Sequence, residues 1–205
     1  MTGGAERVSG ALPNNRCSVK AVELDLPGVF EITVPAFGDH RGSFSETFRD
    51  NWFRENVAPV TFVQENQSLS RAPGTLRGLH FQTKPFAQGK LVRCVAGAIF
   101  DVAVDIRHGS PSFGKWAGVT LTPEANNQVW VPAGFLHGFC TLKPDTVVMY
   151  KVTNYYSKDN DAGVAWDDTD IGIAWPDVVD IEQLSAKDRV QPRLRDLPAH
   201  FTYGS

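Results

Sequence analysis

An all-β sandwich, jelly roll or barrel is the fold class this sequence predicts, and three observations carry it. Apolar residues recur mostly with period two, the runs are short and bounded by Gly, Pro, Asn and Asp clusters, and helical spacing is scarce. The sharpest run is AIFDVAVDIR. Ala98, Phe100, Val102, Val104 and Ile106 share one face there, and Asp101, Asp105 and Arg107 the other, which reads as a half-buried strand. Similar runs lie at 60–69, 75–82, 90–95, 116–122, 127–131 and 146–154. Many short strands within 205 residues argue for a single domain of two packed layers or a closed barrel.

Helix signals are confined to two places. ETFRDNWFREN sets Phe48, Trp52 and Phe53 on one side at helical spacing, and DIEQLSAKD has room for a turn or two. WDDTDIGIAWP reads as a loop capping the barrel, with Trp166 and Trp175 packed over it. Residues 1–20 are small, polar and aperiodic and read as a flexible leader, which leaves 21–205 as the folded domain.

Composition narrows the function classes. With 42% hydrophobic residues, 21% charged residues and a net charge of -3, the chain is an ordinary globular protein without the basic footprint of a nucleic-acid binder. It has no signal-peptide pattern and no apolar run approaching the roughly 20 residues that span a bilayer, so a cytoplasmic, non-membrane location is expected. Three cysteines without C-x-x-C spacing suggest neither a disulfide framework nor a zinc knuckle; Cys94 and Cys140 read as small core residues.

Of the five histidines, His40, His108 and His200 fall in turn-like or terminal contexts and read as solvated. His80 in RGLHFQ and His137 in PAGFLHGFC sit in apolar, glycine-punctuated strand contexts, where a buried imidazole must find partners. A metal site of the H-x-H type is not encoded, because Gly78 and Gln82 flank His80 at the positions two residues away. The residue types suit metal-free proton abstraction beside a carbonyl, which needs a base near neutrality, an orienting group, a donor for the enolate oxygen and an acid that returns the proton. Composition alone does not say which His, Asp, Lys and Tyr fill those posts.

Nine motifs then occur in order: RGSFSETF, FVQENQS, LRGLHFQ, AQGKLVR, GAIFDVAVDIRHGSPSFGKW, QVWVPAGFLHGF, YKVTNYYS, WDDTDIGIAWP and LSAKD. By these the chain, from about residue 23 to 198, resembles the dTDP-4-dehydrorhamnose 3,5-epimerases. The resemblance implies a cupin-like jelly roll with a few short peripheral helices. It also implies a cofactor-free homodimer and the substrate dTDP-4-dehydro-6-deoxy-glucose.

By the same resemblance His80 is the base acting at C3 and C5, and Asp188 of LSAKD orients it. Lys90 stands by the C4 ketone oxygen, and Tyr150 returns a proton from the opposite face. The period-two parity of Val148, Tyr150 and Val152 is consistent with a phenol pointing into the barrel. Arg41, Glu46, Gln64, Asn66, Arg77 and Lys187 are implied in nucleotide binding, Tyr156 in stacking on the thymine, and Phe44 and His137 in lining the sugar site. Asp161 takes a binding position that the family usually fills with Glu.

Two features sit awkwardly. Arg77 and His80 differ in strand parity, so a regular strand aims them at opposite faces unless Gly78 supplies a bulge. The family also exchanges an N-terminal strand between subunits, which would let Arg41 and Glu46 serve the partner's site. The alternatives carried forward are a C3-only or C5-only epimerase, a metal-dependent cupin enzyme, and a catalytically silent sugar-nucleotide binder.

Overall fold

A computed structural model describes residues 18–204. In chain order its strands are β1 (Lys20–Glu23), β2 (Phe30–Thr33), β3 (Phe37–Asp39), β4 (Gly42–Phe44), β5 (Gln64–Ser70), β6 (Leu76–Gln82), β7 (Lys90–Ala96) and β8 (Ile99–Asp105). They continue with β9 (Arg107–His108), β10 (Trp116–Leu121), β11 (Asn127–Val131), β12 (Phe135–Thr141), β13 (Thr146–Val152), β14 (Asp161–Gly163) and β15 (Phe201–Thr202). Among the described residues one α-helix forms, α1 (Asp50–Asn56), and no helix is long and apolar enough to cross a membrane.

Two antiparallel sheets make a cupin-like jelly roll, with strand orders β1-β2-β11-β7-β13-β5 and β10-β8-β12-β6-β14. The core between them is packed by Val92, Cys94, Val129, Val131 and Val148 of the first sheet against Ile99, Ala103, Leu121, Phe135 and Phe139 of the second. A second cluster lies on the outer side of the five-stranded sheet, where Val102, Val104 and Ile106 meet Val164, Ile171, Leu194 and Phe201. A third joins Phe53 of α1 to Ile32, Leu91 and Trp130, with Phe48, Trp52 and Phe62 packed around it.

These layers correct several expectations. β8 is buried on both faces: Asp101 and Asp105 are 1% and 0% exposed, so the face taken from alternation as the wet one is the barrel interior. The surface behind Val102 and Val104 is apolar because the C-terminal segments cover it. For the same reason the tryptophan loop lies over the outside of the sheet rather than over the barrel end. Trp175 packs in that outer cluster and donates its indole N–H to the Trp166 carbonyl at 2.8 Å.

The helix begins at Asp50, and Phe48 joins its aromatic cluster from the preceding segment, 5.9 Å from Phe53. The DIEQLSAKD turns form as short 3-10 helices at Ile181–Gln183 and Asp188–Val190. His40 and His108 are exposed, but His200 is half-buried, its ring 5.4 Å from Phe81. Cys94 and Cys140 are buried, and burial raises each thiol to about 11. Residues 1–17 of the expected leader lie outside the described residues; Val19 already packs on the aromatic cluster and Lys20 opens β1.

Candidate active site

A cavity of about 320 Å³ opens inside the jelly roll, lined by Ser68, Thr75, Leu76, Arg77, His80, Lys90, His137, Phe139, Tyr150, Gln183, Ser185 and Asp188. Six of the candidate residues therefore converge: His80, Asp188, Lys90, Tyr150, Arg77 and His137. The parity conflict between Arg77 and His80 is resolved by a bulge in β6. His80 pairs with His137 and Arg77 with Phe139, so three steps along β6 face two along β12. Both side chains consequently reach the same interior face. Gly78 permits this, with φ +142 and a position at which a Cβ would stand 2.6 Å from the Gly138 Cα.

His80 Nε2 lies 2.5 Å from Asp188 Oδ1, across 108 residues of sequence. The aspartate is carried to the strand by the turn at Asp188–Val190, whose first N–H is held by the Ser185 hydroxyl at 3.1 Å. Burial pushes the Asp188 carboxyl up. Its hydrogen bonds to His80 and Ser185 and the nearby charges of His80 and Lys187 outweigh that and hold it below the usual range. An ionised carboxylate only accepts, so Nε2 is the donor in this pair, and in a neutral imidazole the lone pair is then on Nδ1.

Lys90 opens β7 on the interior face, its Nζ 3.4 Å from the His80 carbonyl oxygen. Burial lowers its pKa to about 8, against the opposing charges of Asp101 and Asp161. Tyr150 pairs with Asn66 across β13 and β5. Burial raises the phenol, with Arg77 and Asn66 pulling the other way, so it stays protonated at neutral pH. A base and a protonated acid thus share one cavity with a lysine whose charge is easily removed.

Beside the first pair stands a second one that the sequence reading missed. His137 Nε2 is 2.9 and 3.0 Å from the two carboxylate oxygens of Asp101. The only sequence signal was an aspartate at the same parity as Ile99 and Ala103, which pack into the inner core. Asp105 has a different use: its carboxylate accepts from Arg107 at 2.7 and 2.9 Å and from the hydroxyls of Ser110 and Ser112, a purely local tie at the strand's end.

The remaining candidates divide into two groups. Gln64, Asn66, Tyr156, Asp161 and Lys187 form one connected rim. Gln64 donates to Asn66 at 2.8 Å and accepts from the Tyr156 N–H at 3.2 Å; Asp161 accepts from the Tyr156 hydroxyl at 3.2 Å and from Lys187 at 2.6 Å. Arg41, Phe44 and Glu46 do not line the His80 cavity of this chain. Arg41 grips Asp39 within the exposed β3–β4 hairpin, Glu46 binds Arg49 at 2.7 Å, and Phe44 is 70% exposed. Local ion pairs occupy both charged side chains. Each interior histidine is held by a carboxylate, and among the described residues no three His, Cys, Asp or Glu side chains cluster as a metal site.

Comparison with known proteins gives the family. The model of the family described as dTDP-4-dehydrorhamnose 3,5-epimerase matches residues 23–196. The dTDP-4-dehydrorhamnose 3,5-epimerase of Sinorhizobium fredii is 60% identical over 180 residues, 88% of this chain and 92% of that protein. A dTDP-6-deoxy-D-glucose-3,5-epimerase from Legionella pneumophila, solved with dTDP-4-keto-L-rhamnose, superposes with a TM-score of 0.86 at 38% identity, covering 91% of this chain and all of that one (100%). A 3'-monoepimerase from Streptomyces bikiniensis, solved with dTDP-quinovose, has a TM-score of 0.79 at 35% identity, covering 86% and 90% of the two chains. With an extended family match and identities of this size, the chain belongs to the dTDP-4-dehydrorhamnose 3,5-epimerase family.

Proposed function

We propose that the chain inverts C3 and C5 of dTDP-4-dehydro-6-deoxy-glucose, giving dTDP-4-dehydro-L-rhamnose, with the His80–Asp188 pair as its base. The observation that carries this is the 2.5 Å contact between His80 and an ionised Asp188 in a cavity shared with Lys90 and Tyr150. His80 Nδ1 removes the proton next to the ketone, and Asp188 stabilises the imidazolium that results. Lys90, as a cation, faces the C4 oxygen and offsets the enolate charge. Such help matters because each unit of pKa mismatch between carbon acid and base costs about 1.4 kcal/mol. Tyr150 protonates the enolate from the opposite face, which converts exchange into inversion, and the cycle then repeats at the second carbon. His137 lines the sugar pocket, Arg77 pairs with diphosphate oxygens, and Tyr156 stacks on the base above the Asp161–Lys187 rim.

The active species in this reading is a cytoplasmic homodimer. Phe37 and Phe44, 55% and 70% exposed, flank Arg41 on a hairpin that stands apart from the His80 cavity of this chain. Arg41, Phe44 and Glu46 then reach the partner's cavity. Co-expression of differently tagged Arg41→Ala and His80→Ala chains tests it: the mixed dimer recovers activity if Arg41 acts across the interface and stays inactive if it acts within its own chain.

The reaction itself is tested by NMR of the substrate in deuterated water, coupled to a reductase that accepts only the doubly inverted sugar. Label at both C3 and C5 with reductase turnover is the expected result. Label at one carbon would make the chain a single-site epimerase, and no label would overturn the reading.

A further inference from the structure

The interior face of β5 presents four polar side chains in alternate positions, and three have partners. Gln64 donates to Asn66, and Ser70 accepts from Arg77 Nε at 3.2 Å. Ser68 lies between Asn66 and Ser70, about 7 Å from each by strand geometry. It lines the His80 cavity, yet its hydroxyl is shielded and, among the described residues, is the one buried side-chain oxygen or nitrogen without a hydrogen-bond partner. A shielded, unpaired hydroxyl destabilises the unliganded fold, because its desolvation is not repaid. Val148, its neighbour on β13, has no side-chain acceptor to offer.

We infer that Ser68 is a substrate-binding residue whose hydroxyl donates to an oxygen of the sugar-proximal phosphoryl group, beside Arg77. Its position carries the assignment. Ser68 shares the His80 cavity with Tyr150, the phenol that works on the hexose, and with Arg77, the guanidinium that suits a diphosphate. A group between them meets the junction of sugar and phosphate. This rests on the nucleotide-sugar reading above and names a contact which that reading leaves open.

The test is calorimetric titration of dTDP and dTMP into the wild-type protein and into Ser68→Ala, with thermal unfolding of both unliganded proteins. Binding of dTDP by the wild type is the control for the parent reading; if it fails, that reading falls before Ser68 is at issue. The expected result is about tenfold weaker dTDP binding in the variant, since a neutral donor to a charged acceptor is lost, while dTMP, which lacks the sugar-proximal phosphate, binds both proteins equally. The unliganded variant should also melt a few degrees higher, at roughly 2–4 °C per kcal/mol for a chain of this size, because the unpaired hydroxyl is gone. Unchanged dTDP affinity overturns the inference, as does an equal loss for dTMP.

Discussion

The two histidine–aspartate pairs face each other across β6 and β12 at paired positions of the ladder, yet they are built differently. The His137–Asp101 pair links neighbouring strands of one sheet, and its side chains are 8% and 0% exposed. The His80–Asp188 pair joins a strand to a C-terminal turn, and its imidazole is 27% exposed. The first is locked by the sheet itself, whereas the second pairs a cavity-facing ring with a carboxylate brought in by the last part of the chain. An imidazole that must take and release protons needs access as well as orientation. The contrast supports the proposed proton transfer at His80 and suits His137 to positioning.

The largest expected effect lies on the His80 side. His80→Asn should lower kcat about 10³-fold or more, and Asp188→Asn about 10²–10³-fold through loss of tautomer control, with dTDP affinity nearly unchanged in both. Equal losses from the corresponding changes at His137 and Asp101 would break the contrast.

Tyr150→Phe comes next and sharpens the division between removing a proton and returning it. The base still works, so deuterium should enter the substrate while inversion falls by about 10²-fold or more. Loss of exchange together with inversion would show that the phenol is needed for the first step as well.

Lys90 tests whether the cavity that exposes His80 also tunes its neighbour. With a pKa lowered to about 8 by burial, the ammonium is present below that pH and lost above it, so kcat should fall as pH rises through about 8. The stability sign is opposite. The folded pKa lies below the unfolded value of about 10.4, so burying the cation costs stability below pH 8, and the cost fades as pH climbs between the two values. Lys90→Met should therefore abolish the alkaline limb and stabilise the fold most at neutral pH.

Smallest in rate is Asp101→Asn, expected to lower kcat only about tenfold while destabilising the fold by about 1–3 kcal/mol, as loss of a buried charge-assisted hydrogen bond does. Thermal melts beside steady-state rates would separate the two readouts.

Much of this molecule is legible from sequence because its signals are local. Alternation and turn residues predict β5, β6, β7, β8, β10, β11 and β13, and the glycine before His80 announces the bulge that the structure contains. The short turns at 181–183 and 188–190 follow from a polar segment with Asp180 capping the first of them, its carboxylate accepting from the Glu182 N–H at 3.0 Å. The ordered motifs mark His80, Asp188, Lys90 and Tyr150 without any knowledge of contacts.

What sequence could not decide is which side of a strand is inside. Alternation in β8 separates two faces, but both are buried once the C-terminal segments cover one of them, so the aspartates lie on the interior side and Asp101 becomes the partner of His137. It could not bring Asp188 to His80 either, since a contact spanning 108 residues depends on where the sheets place the two ends. Nor could motif order show that Arg41, Phe44 and Glu46 stand apart from the cavity. By itself the sequence determined period, punctuation and the chemical inventory, which are properties of neighbouring residues. Tertiary structure alone decided burial, pairing and convergence, because those depend on which distant surfaces exclude water from one another.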